Sequence, residues 1–264
     1  MLNRLVDKWF IAAFESDDFG IYAVAAQEIP LLAVLPYAGG AALVTKLVDA
    51  FRESDLAGAH RHWMQLTSSM SLLVAPLGIG LILIAPDLVP SVFGREFASG
   101  ALPFQLFTAI TVHRVAEYGM LLRAAGRTRE LLVVASVTLG SNVVLAGFGA
   151  WAGGMSGSAW GTLVASAIGW LTALRYIGVA LDVPVRSAFP WARWFSAVAL
   201  STVAALVAYL LTIPANVTSM ARAGLQLVVF VAVVVPGTRL LTRATTPPAD
   251  PPTDQTPAAL RSLM

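Results

Sequence analysis

Residues 131–174 read LLVVASVTLGSNVVLAGFGAWAGGMSGSAWGTLVASAIGWLTAL, a run without a single Asp, Glu, Lys or Arg. An α-helix rises 1.5 Å per residue, so about 20 apolar residues cross a hydrocarbon core of about 30 Å. The run holds two such crossings, and AGGMSG at 152–157 supplies small residues for a turn between them. The pattern predicts spans over Leu131–Trp151 and Met155–Leu174. A core helix of a soluble protein keeps a polar face, and neither segment has one.

Five further windows of this kind flank the pair: Ile21–Lys46, Met64–Ala85, Leu102–Leu122, Trp194–Ile213 and Ala221–Thr238. A shorter apolar stretch, Leu5–Phe14, has the length of half a crossing. Whole-chain composition agrees. Of 264 residues, 57% are hydrophobic and 12% charged, with a mean hydropathy of +0.75. That leaves too few polar residues to cover a water-facing surface. The expected fold is an all-α, polytopic transmembrane helix bundle with about seven full spans and a partial first helix.

The basic residues set an orientation. Segments 46–63, 123–129, 175–193 and 239–264 hold twelve of the seventeen Lys and Arg, whereas the alternate connections hold only Arg95 and Arg222. Positive residues stay on the cytoplasmic side, so a multi-pass protein of the cytoplasmic membrane with its carboxyl terminus inside is expected. Three regions follow: 1–180, the partial helix with five spans; 181–242, two additional helices; and 243–264, a Pro-rich polar tail read as disordered. The amino terminus lacks a small-residue cleavage site and runs straight into another apolar segment, so no leader peptide is read.

Several chemistries are excluded. There is no cysteine, hence no disulfide, thiolate nucleophile or Cys-based metal site. The basic residues form no stripe with interleaved aromatics, which argues against nucleic acid. Gly147, Gly149 and Ala152 have a dinucleotide-fingerprint spacing, but no strand precedes them, and glycines inside a span serve close helix approach or a turn. His60 and His62 flank Arg61 with no third metal ligand nearby. Neither a hydrolase triad nor a phosphate-binding loop can be assembled. Neither a cofactor nor a catalytic role is expected.

Charged residues inside a span are costly and mark candidate functional sites. His113, Arg114 and Glu117 fall near the middle of the 102–122 window. On a continuous helix, Arg114 and Glu117 at i,i+3 and His113 and Glu117 at i,i+4 share a face. Arg114 suits an anionic group, and burial would let Glu117 take up a proton. An alternative is an ion pair that only satisfies itself. Glu28 lies beside Gln27 and ahead of Pro30 and Pro36, which would kink the helix and free carbonyls for a cavity wall. Its alternative is a glutamate close enough to the interface to reach water. The depth of the adjacent pair Asp7 and Lys8 is left open by the sequence.

These segments resemble a known family. Asp7-Lys8-Trp9-Phe10 followed by FGIYAVAAQEIPLLAVLP is similar to a segment of oligosaccharide flippases in which an Asp and a basic residue precede a Gly-Ile-Tyr helix opening. VFGREFASGALPFQLF, LLRAAGRTRELL and GGMSGSAWGTLVAS then resemble the carboxyl-terminal portion of polysaccharide flippases of the multidrug and oligosaccharidyl-lipid exporter superfamily. Gly94, Phe97, Ala124, Gly126, Arg127, Gly154, Gly157, Ala159, Trp160 and Thr162 carry the pattern, in order, over roughly residues 5–180. The resemblance implies alternating access between two lobes and movement of a polyprenyl-diphosphate-linked oligosaccharide across the membrane lipid. It further implies an anion path through Arg114 and Arg123, with Glu28 or Glu117 coupling to an ion gradient. Relative to that pattern the first lobe is absent. The expectation is a fragment of a longer chain, or a chain paired with a second membrane chain. Two rival functions are a noncatalytic membrane partner or remnant, and an envelope transferase. The short acid-poor outer loops disfavour the transferase.

Overall fold

The computed structural model describes residues 3–27, 29–213 and 217–245. Regular structure among them is entirely helical: α1 Asn3–Phe14, α2 Phe19–Ala25, α3 Pro30–Arg52, α4 Leu56–Phe93, α5 Ala101–His113, α6 Tyr118–Ala124, α7 Thr128–Leu181, α8 Trp191–Thr212 and α9 Ser219–Thr245. Short 3-10 turns sit at Ser16–Asp18, Arg95–Gly100 and Val185–Ser187. Among the described residues five helices, α3, α4, α7, α8 and α9, are long and apolar enough to cross a membrane, and α7 is folded into two arms. α1 is the expected half-crossing. The Pro-rich tail lies outside the described residues from 246 onward; its first three residues complete α9.

α7 is a hairpin of two helices. Gly153 (φ −152°, ψ 24°) and Gly154 (φ 57°, ψ −142°) break the helical backbone, and Gly154 occupies the left-handed region that glycine tolerates without strain. Added methyl groups at Gly149, Gly161 and Gly169 would strike the Gly157 carbonyl, the Leu145 carbonyl and the Thr138 side chain, respectively. The paired positions sum to a nearly constant value, as antiparallel arms require. Close approach matters because lipid tails are as apolar as leucine, leaving packing to hold helices together.

α8 carries an equivalent inner face. Ala197, Ser201, Ala204, Ala208 and Thr212 are all buried and recur at helical spacing. They pack with Ala75 and Ile79 of α4 and Phe230 and Val234 of α9. Large apolar side chains point outward instead: Val144, Phe148, Trp151, Leu206, Leu211 and Val228 are exposed. Small residues inside and large ones outside suit a bundle solvated by lipid.

Two expectations about element ends are corrected. Residues after Ala85 do not form an open loop; α4 continues to Phe93 through Pro86 and Pro90. Pro86 has no N–H for the Ile82 carbonyl, but Gln105 Nε2 of α5 donates to that oxygen at 2.9 Å, so the helix continues with its ladder repaired. α4 is 38 residues long, about 57 Å at the helical rise. Its start is fixed by Asp55, whose Oδ1 accepts the Gly58 N–H at 2.7 Å. The second correction concerns the 21–46 and 102–122 windows, each of which is two helices rather than one.

Candidate functional site: a polar cleft at two broken helices

The first break precedes Pro30. α2 ends at Ala25, and Ile29 is extended (φ −70°, ψ 117°), the conformation that a following proline enforces. The second break has no proline. α5 ends at His113; Arg114 (φ −87°, ψ 54°) and Glu117 (φ −79°, ψ 86°) are non-helical, and α6 begins at Tyr118. Freed carbonyls at membrane depth need donors, and side chains provide them. Trp194 Nε1–H donates to the Val112 carbonyl at 2.9 Å, and the Tyr118 hydroxyl to the His113 carbonyl at 2.6 Å. The Arg114 N–H donates to Thr111.

This geometry overturns the expected shared helical face of His113, Arg114 and Glu117. His113 is buried; its Nε2 lies 3.1 Å from Ser166 Oγ and its ring packs on Trp170, with centroids 5.1 Å apart. Glu117 instead faces Arg123, Oε1 to Nη2 3.6 Å, with 37% of its side chain exposed. The burial assumed for a proton-accepting Glu117 is therefore not found. Arg114, Glu117 and Arg123 all line one cleft. Glu28 lies outside the described residues, between Gln27 and Ile29 of the first break.

The cleft has a volume of about 1180 Å³ and is bounded by α1, the 26–29 break, α5, α6 and both arms of α7. It gathers Lys8, Gln27, Thr111, Arg114, Glu117 and Arg123 among apolar neighbours such as Leu132 and Leu139. The depth that the sequence left open for Asp7 is given by the structure, which places it in the lining of this cleft. Asp7 is 2% exposed, and the Tyr22 hydroxyl donates to its Oδ2 at 3.0 Å while lying 3.3 Å from Ser158 Oγ. Asp7 Oδ1 and Thr162 Oγ1 are buried without a hydrogen-bond partner. The adjacent Asp7 and Lys8 were the available signal; only the tertiary contact with Tyr22 gives them a depth.

Elsewhere the side chains are structural. His60 Nε2 lies 2.8 Å from the Ser187 carbonyl, and Trp63 Nε1–H donates to Ala188 at 2.9 Å, tying the α7–α8 connection onto α4. Glu15 Oε2 accepts the Met155 N–H at 3.1 Å and caps the second arm of α7. No cluster of three or more His, Asp or Glu suited to a metal occurs among the described residues.

No family model matches the chain. No curated protein matches it either. Among solved structures, the lipid II flippase MurJ in an inward closed conformation matches with a TM-score of 0.72 and 15% identity, over 92% of this chain and 51% of that one. The chain therefore shares its fold with that protein over about half of that protein's length.

Proposed function

We propose that the chain is one helical lobe of a flippase that carries a polyprenyl-diphosphate-linked oligosaccharide across the cytoplasmic membrane. The observation that supports this reading is the cleft. It joins two helix breaks and is lined by Arg114, Glu117 and Arg123 on a fold shared with a lipid flippase. A diphosphate loses most of its hydration on entering lipid, and fixed guanidinium groups replace it with charge-assisted hydrogen bonds. Arg123 pairs with Glu117 at rest and becomes available when an incoming anion displaces the carboxylate. Glu28, which lies between Gln27 and Ile29 in the sequence, is the second carboxylate in this scheme. His113 has a positioning role, fixing the end of α5 against α7. A second lobe, whether part of the same polypeptide or another membrane chain, covers the open side of the cleft and completes alternating access.

The test uses proteoliposomes containing the full reading frame and a fluorescent polyprenyl-diphosphate sugar. R114Q and R123Q are expected to slow translocation by about tenfold or more, the effect of losing about 1.4 kcal/mol of anion stabilisation. Wild-type rates in both variants would defeat the assignment.

A further inference from the structure

The α5–α6 break has no cause in its own sequence. Residues 112–118 read VHRVAEY, without glycine or proline, and a helix accommodates residues of these types at small cost. In a continuous helix the Ala116 N–H would take the Val112 carbonyl and the Glu117 N–H the His113 carbonyl, each four residues back. Those are the two carbonyls that side chains occupy here, the Trp194 indole on Val112 and the Tyr118 hydroxyl on His113. The break and the helix therefore compete for the same two acceptors. Either arrangement satisfies both, so passing from one to the other exchanges hydrogen bonds without leaving a carbonyl bare, which keeps the difference between them small.

The two arrangements put Glu117 in different places. In the break its Cβ lies 3.7 Å from where a methyl group on Gly40 of α3 would stand, and its carboxylate faces Arg123 at 3.6 Å. On a continuous helix it returns to the side of His113, four residues back, whose ring lies against Ser166 and Trp170 of α7. Positions 117 and 123 then stand about 240° apart around the helix, too far round for the carboxylate and guanidinium to meet. Helix formation thus carries Glu117 from the α3 side to the α7 side and releases Arg123. The indole that opposes it is firmly seated, since Trp194 packs on Trp170 and Phe189 with centroids 5.7 and 6.2 Å away.

We infer that the α5–α6 segment is a two-state switch, broken here and a continuous helix in its other state, with Trp194 of α8 and the Tyr118 hydroxyl as the latch that holds the break. Trp194 is a positioning residue, acting on Glu117 and Arg123 through the Val112 carbonyl. Bistable elements of this kind turn a small local change into a discrete rearrangement. The inference rests on the proposed function only for its purpose, the release of Arg123 during translocation.

Because the sequence has no cysteine, spin labels at E53C, an exposed position after α3, and E117C report on this segment alone. Their separation is measured by double electron–electron resonance on the chain in lipid nanodiscs, without substrate. Y118F removes one hydroxyl and keeps the ring; it should raise the population of a second, discrete distance about threefold. W194F should do the same from α8. A116G disfavours the helix and should reverse the rise in either background, whereas a segment that had only loosened would be loosened further by glycine. One unchanged distance in the parent, Y118F and W194F, or a single distance that only broadens, would overturn the switch, as would a second population that grows with A116G. Those results leave the proposed function standing, because no substrate takes part. Wild-type translocation by R114Q and R123Q would instead defeat that function and leave the switch intact.

Discussion

Single side chains here repair the backbone where the helices are interrupted. The clearest case is Gln105, which replaces the hydrogen bond that Pro86 denies to Ile82. Q105L should destabilise the protein by about 1 kcal/mol, the usual worth of an interhelical hydrogen bond in lipid. In a P86A background, where the backbone N–H returns, the same change should cost almost nothing. Thermal unfolding of the four proteins in detergent measures this cycle, and equal costs in both backgrounds would refute the pairing. Trp194 and Tyr118 do the same for Val112 and His113. W194F should therefore loosen the α5–α6 break, read as faster amide exchange at residues 114–117.

Among the elements, the α7 hairpin depends most on the absence of side chains. A Cβ at Gly157 would meet the Gly149 carbonyl, a backbone atom that cannot rotate away. G157A is expected to cost about 1–3 kcal/mol through overpacking. G140A, where a methyl group meets nothing within 4 Å, should be neutral or slightly stabilising through helix propensity. Fluorescence-detected melting of both variants checks the contrast. Similar melting temperatures would mean that the arms are not in the register described. The broken pairs α2–α3 and α5–α6 differ in origin. Proline dictates the first, whereas the second is held open by hydrogen bonds from Tyr118 and Trp194, residues outside α5.

For the whole molecule, the distribution of arginine makes orientation a testable property. Glu53→Cys and Ser99→Cys place unique thiols at exposed positions on opposite ends of the bundle. A membrane-impermeant maleimide should label Ser99→Cys in intact cells and Glu53→Cys only after permeabilisation, as the positive-inside bias demands. The reverse pattern would invert the topology.

The sequence by itself determined the solvent, the helical class and the crossings, because runs such as 131–174 must bury every backbone polar group internally and only a helix does so within one segment. Expecting a continuous helix through Arg114 and Glu117 failed for a physical reason. No local signal like Pro30 marks that break, and the donors that stabilise it come from α6 and α8, the latter 82 residues away in the case of Trp194 and Val112. The candidate site was likewise half legible. The cost of intramembrane charge singled out Arg114 and Glu117, whereas the pairing of Glu117 with Arg123 and the burial of Asp7 against Tyr22 follow from helix packing, which sequence spacing does not encode.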